Sequence, residues 1–169
     1  MTGNGFSTVQ YTLAERWNGS TWSFQTMPHP VGAVNSYLNA VSCPSANACI
    51  AVGATSPASG EVYSLIERWD GKAWSIQTPA ADSTASLQAV ACSKSNACTA
   101  VGYDSSGPMA ERWNGHAWVL QTPVIPTDAS GGQALGAFSS VSCPASNLCL
   151  AAGRATYPSL SDDRPLAER

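Results

Sequence analysis

The sequence predicts an all-β protein made of repeated four-stranded antiparallel blades. The architecture expected is a β-propeller, or a partial or oligomeric propeller, with a β-trefoil as the alternative. Three observations predict it. The spacing C-x5-C occurs three times, at Cys43/Cys49, Cys92/Cys98 and Cys143/Cys149. A W-[ND]-G-x-x-W turn also occurs three times, at Trp17/Trp22, Trp69/Trp74 and Trp113/Trp118. Every cysteine and every tryptophan belongs to one of these motifs, and the motifs recur with a period of roughly 45–50 residues, as stacked supersecondary units do.

Each unit opens with a hairpin. LNAVSCPSANACIAVG from Leu38, LQAVACSKSNACTAVG from Leu87 and FSSVSCPASNLCLAAG from Phe138 align without gaps. In the second unit, Leu87–Cys92 reads as strand A, Ser93–Ala97 as the turn and Cys98–Gly102 as strand B, because Ser and Asn, joined by Pro in the other two units, cluster between two β-rich runs. On strand A, Leu38, Ala40 and Ser42 share one face, and Val41 and Cys43 the other. On strand B, Ile50 and Val52 oppose Cys49 and Ala51. Both faces are apolar and small, which suits inner strands sandwiched between neighbouring sheets near a crowded axis. A trefoil accounts for this less well.

A second hairpin follows. LIERWDGKAWSIQTP (65–79) has Asp70-Gly71 between two further strands, C and D, and 13–26 and 110–123 repeat it. Asn-Gly and Asp-Gly supply the positive φ that a tight hairpin turn requires. Strands C and D alternate more cleanly, as at Ile76 against Ser75 and Gln77, and are expected to be half-exposed. Small inner strands and larger outer ones describe a propeller blade.

Residues 1–169 are therefore read as a single repeat domain of about three blades. The units span approximately 38–79, 87–123 and 138–169, and a C–D hairpin at 13–26 precedes them. The last residues, Leu166-Ala167-Glu168-Arg169, repeat Leu13-Ala14-Glu15-Arg16. The order is C–D, then A–B–C–D twice, then A–B and part of C. Three blades are too few to close an ordinary ring. Two chains would build six, with the C–D hairpin of one completing A–B of the other. Head-to-tail contacts that fail to close would give a fibre, and an excerpt from a longer propeller is the third possibility. The partners expected are thus further copies of the chain, or the remainder of a longer propeller.

Composition narrows the function. Only 11% of residues are charged and the net charge is −3. That is no basic footprint, so nucleic acid is not an expected partner. No apolar run of about 18 residues is present, so no membrane span is expected. The first residues, MTGNGFSTVQY, show neither the basic nor the apolar region of a secretion signal. Regularly placed cysteines fit an oxidising compartment. The expectation is a mature or excised piece of an extracellular or cell-surface protein; a cytosolic protein with reduced thiols is the alternative.

The unit resembles a blade of the Asp-box/BNR-type propellers and of the photosystem II assembly-factor propellers. The matching stretches are Ala51-Val52-Gly53, Ala100-Val101-Gly102 and Gly19-Ser20-Thr21-Trp22, with Trp17, Trp69 and Trp113 where the family places an Asp. The resemblance implies a propeller fold.

The cysteines face one another across hairpins, so local disulfides Cys43–Cys49, Cys92–Cys98 and Cys143–Cys149 are expected. The spacing suits neither a metal site nor a redox motif. The pairs Glu15-Arg16, Glu67-Arg68, Glu111-Arg112 and Glu168-Arg169 have two readings. In one, the side chains bond to neighbouring blades or strands. In the other, they bind sugar. The run of Glu, Arg, Trp, Asp, Gly and Trp is similar to that of small oligomeric fucose-binding propeller lectins, in which Glu and Trp contact the ligand. That resemblance implies ligand contacts at Glu15/Trp22, Glu67/Trp74 and Glu111/Trp118, without the lectins' Arg on the preceding strand. The tryptophans are equally read as cross-strand packing pairs.

No catalytic constellation is legible, and neither a cofactor nor a metal is expected. His29 and His116 are not repeated, Arg154 and Arg164 are the only arginines outside the pairs, and Asp162-Asp163 reads as a solvated loop. Asn18-Gly19-Ser20 is a formal glycosylation sequon for which a turn role suffices. The expectation is a non-catalytic extracellular module for structural assembly or protein binding, with a glycan-binding lectin carrying one site per repeat, or a subunit of an extracellular fibre, as alternatives.

Overall fold

The structure is a computed structural model. It describes residues 9–80, 84–127 and 132–157, and the backbone of 162–168. Every regular element among them is a strand. The first two, β1 (Ala14–Trp17) and β2 (Trp22–Gln25), form an isolated hairpin. A four-stranded sheet follows in chain order: β3 (Ala33–Ser45), β4 (Ala48–Pro57), β5 (Tyr63–Trp69) and β6 (Trp74–Gln77). The next sheet repeats it with β7 (Ala85–Lys94), β8 (Ala97–Asp104), β9 (Gly107–Trp113) and β10 (Trp118–Gln121). A three-stranded sheet of β11 (Leu135–Ala145), β12 (Leu148–Tyr157) and β13 (Asp162–Glu168) ends the series. All neighbours in these sheets are antiparallel. The strands form separate open sheets, and no closed barrel is present among the described residues, so the trefoil alternative falls away.

The sheets stack face to face through their inner strands, with β7 packed against both β3 and β11. Two apolar seams result. Ile50, Val52 and Ile66 of the second sheet meet Leu87, Val90 and Ala100 of the third. Val101 of the third meets Phe138, Ala151 and Ala155 of the fourth, with Ala89 and Ala110 packed alongside. Alternation on a strand thus serves two seams at once: Val101 faces one neighbour and Ala100 the other. This is why the A and B strands carry small apolar residues on both faces.

The repeated glycine within strand B has a steric cause. A Cβ on Gly53, Gly102 or Gly153 would stand 2.0, 2.0 or 1.9 Å from the carbonyl oxygen of Tyr37, Ser86 or Ala137. The ladder shifts register beside each of these glycines, between Leu38 and Ala40, Leu87 and Ala89, and Phe138 and Ser140. A bulge presses one backbone onto the other there, and only glycine fits.

Three local expectations are corrected. The A–B turn is shorter than Ser93–Ala97, because the ladder continues past the cysteines to Lys94 opposite Ala97. In the two complete blades strand C is not half-exposed. Leu65, Ile66 and Glu67 are all buried, since a third strand of four is covered by sheets on both sides, whereas Ser75 and Ile76 of β6 are exposed. The C–D connection is not a two-residue turn. Trp69 pairs with Trp74, which leaves four residues in the loop. Gly71 adopts φ 96°, while the Asp70 carboxylate accepts the N–H groups of Lys72 and Ala73 at 2.8 and 2.9 Å. Asn18 and Asn114 do the same in their loops. These side chains imitate a backbone turn, and the two backbone donors hold the Asp70 pKa below its usual value.

Candidate functional site

The cysteines form three disulfides, Cys43–Cys49, Cys92–Cys98 and Cys143–Cys149, with Cα–Cα separations of 4.1, 4.0 and 4.1 Å. Cys92 and Cys98 are directly opposed in the ladder, the geometry in which side chains approach most closely. Among the described residues no cysteine is free. Three such bonds persist in an oxidising environment.

The Trp-turn-Trp motifs are packing pairs. Ring centroids lie 5.7, 5.9 and 5.8 Å apart in Trp17–Trp22, Trp69–Trp74 and Trp113–Trp118, each pair tilted by about 45°. The arginines next to them reach forward to the following sheet. Arg16 lies over the ring of Trp69 at 5.9 Å, and Arg68 over that of Trp113 at 5.6 Å. Arg112 donates to the carbonyl of Ser146 and to the Thr99 hydroxyl. Polar links also join the inner strands. Asn39 donates to the carbonyl of Leu87 at 2.8 Å, and the N–H of Cys92 donates to Ser42 Oγ at 3.0 Å.

The glutamates point the other way, toward the preceding sheet. Glu67 and Glu111 are both 0% exposed, whereas Glu15 is exposed. Glu111 accepts the N–H of Ala80 at 2.9 Å. No backbone N–H reaches Glu67, and neither of its oxygens makes a well-formed hydrogen bond, the Thr12 hydroxyl being the polar group that acts on them. The sequence supplies a reason: Pro28 occupies the repeat position of Ala80, and proline has no N–H to give. Burial pushes the Glu67 pKa up to about 7, with the Thr12 hydroxyl opposing the shift.

The sugar-contact triads of the sequence reading therefore occupy unequal places. Glu15 and Trp22 are exposed, Trp22 at 64%. Glu67 is sealed beside a half-buried Trp74. Glu111 is sealed beside Trp118, itself 6% exposed. The side chains of Glu168, Arg164, Asp162 and Asp163, and all of Arg169, lie outside the described residues. His29 and His116 are exposed.

One groove stands out, with a volume of about 720 Å³ between the β1–β2 hairpin and the inner face of the second sheet. Trp17, Trp22, Trp69 and Trp74 line it together with Leu38 and Val41. Among the described residues, no inner strands stand beside the first hairpin there. Val41 is consequently 61% exposed, while its repeat equivalent Val90 is 8% exposed. Neither the groove nor the orphaned Glu67 was visible in the motifs, though Pro28 was a signal for the second.

Among the described residues no group of His, Cys, Asp or Glu is placed to hold a metal ion, and no helix is long and apolar enough to cross a membrane. The geometry defines a disulfide-bonded stack of β-blades. No protein-family model and no curated protein matches the chain.

Proposed function

We propose that this chain is a non-catalytic extracellular module for structural assembly or protein binding, working by blade-on-blade stacking. The observation that carries the reading is the use made of the recurrent polar set. Glu67 and Glu111 are buried against the preceding sheet, and Arg16, Arg68 and Arg112 bind the following one. The residues that recur serve seams between blades. Seam positions are also exposed at the two outer faces of the described stack, at Val41 and Leu150, which are 61% and 52% exposed. Self-association or a further propeller segment would bury them. The resemblance to Asp-box/BNR-type propellers agrees with this reading. Native molar mass by light scattering without reductant tests it. Dimers or polymers are expected, and a monomer at every concentration would overturn self-assembly.

A second reading is a glycan-binding lectin. The groove favours it, because four tryptophans there stand beside Glu15 and Arg16, and aromatic faces with a few polar groups suit sugars. The exposed Glu15/Trp22 copy is the one a sugar can reach. Titration with glycans should quench tryptophan fluorescence with one site per chain, and the Trp22→Ala variant should lose the response.

A further inference from the structure

We infer that Glu67 is a proton-operated latch: its protonated carboxyl holds the β1–β2 hairpin against the second sheet, and its ionised carboxylate loosens that seam and opens the tryptophan groove between them. The latch needs neither a sugar nor a second copy.

The placement of Glu67 supports it first. The side chain is 0% exposed. Its ladder neighbours are Ala51 on β4 and Ile76 on β6. Thr12, just ahead of β1, brings the polar group that acts on the carboxyl. Pro28, just past β2, stands where the next blade has Ala80, whose N–H holds Glu111. Proline has no N–H to offer. The groove begins beside the carboxyl, because Ala51, together with Leu13 and Ala14 next to Thr12, lines it.

The absence of a countercharge supports it next. β3, β4 and β6 carry no charged side chain, and Tyr37 of β3 is exposed. The hairpin and its flanks bring Tyr11, Glu15, Arg16 and His29. Arg16 lies over Trp69, Glu15 is exposed, and Tyr11 and His29 pack ring against ring at 4.8 Å. On β5 itself Arg68 lies over Trp113, and Tyr63 donates to Glu61. The third sheet packs on the other face of β5 through Leu87 and Ile66, and its Lys94 is exposed. Burial raises the pKa to about 7 and Thr12 opposes it, with no neighbouring charge among the causes. An ionised carboxylate in such a place must take in water or lose its burial.

The first seam is the one that would yield. Across it the Ser36 N–H donates to the Gln10 carbonyl at 2.9 Å, and Arg16 covers Trp69. The Glu111 seam has the Ala80 donor, the Asn39 and Cys92 bonds and the apolar cluster around Leu87 and Val90. The proton favours closure fully below the ordinary pKa of 4.5, and that preference is lost as pH rises through about 7.

Hydrogen exchange of the full chain at pH 5 and pH 8, expressed as protection against the unstructured rate, tests the latch. The Ser36 amide and those of β1 and β2, which a lone hairpin cannot protect, should lose protection roughly fiftyfold at the higher pH. The amides of Ala80 and Cys92, which bond across the next seam, should keep theirs. Tryptophan emission should shift to the red over the same range, as Trp69 meets water. Glu67→Gln should hold the first seam shut at both pH values. Pro28→Ala, by supplying an N–H, should shrink the loss. Protection that is unchanged at the first seam, or that falls equally in both seams, would overturn the latch. So would a selective loss that persists in Glu67→Gln. Should that variant fail to fold, the wild-type contrast between the seams and the response of Pro28→Ala decide.

Discussion

Glu67 shows how much one position can decide. Its carboxyl sits fully buried with no backbone donor and only the Thr12 hydroxyl acting on it, while Glu111, at the same place in the next blade, has a backbone donor. The folded pKa of about 7 lies above the ordinary 4.5. The native state therefore keeps a proton that the unfolded chain releases. Stability from this group is fully present below pH 4.5 and declines as pH rises toward 7. Glu67→Gln should remove that decline, raising stability at pH 8 by roughly 2–3 kcal/mol relative to pH 5, as read from urea denaturation at the two values. Equal effects at both would show that the carboxyl is ionised and solvated in the folded state. Pro28→Ala should act in the same direction by supplying the missing N–H.

The A–B hairpin is the element most fully determined by local chemistry. Its disulfide closes a short loop, worth about 2 kcal/mol by chain entropy. Cys92→Ser with Cys98→Ser should lower the melting temperature while leaving native mass unchanged, and an unchanged melting temperature would remove the stabilising role. The bulge glycine is stricter. In Gly102→Ala a Cβ would collide with the Ser86 carbonyl at 2.0 Å. The expected loss is about 3 kcal/mol or more, measured by urea denaturation. Alanine at Gly60, whose surroundings are open, should cost less, with only its φ of 87° to strain. On the outer strands the gain is smaller. Arg68→Ala removes a cation from the face of Trp113 and should cost about 1 kcal/mol.

The whole molecule is a run of stacked sheets with unequal ends. Each interior seam buries apolar residues from two sheets, so stability should rise with each added seam, as in other stacked repeats. The two outer faces of the described stack carry exposed seam residues, and only 11% of residues are charged. The self-assembly proposed above, if it uses them, should be driven by apolar burial and respond weakly to salt. Light scattering at low and high ionic strength checks this. A mass that collapses with added salt would point to ion pairs instead.

The amino-acid sequence by itself determined the repeat, the strand order within a blade and the disulfide partners, while it left the tryptophans open between packing and sugar contact. The features it determined depend on contacts close along the chain or repeated at a fixed spacing, and cysteines facing across a hairpin announce their own partner. Only the tertiary structure decided what the Glu-Arg pairs do. A strand's alternation shows that neighbouring residues face opposite ways, but not which sheet lies on each side. Once the sheets stack, Glu67 and Glu111 turn inward to the preceding blade while the arginines reach the next. The burial of strand C and the groove beside β1 have the same cause: both depend on which sheets cover a strand.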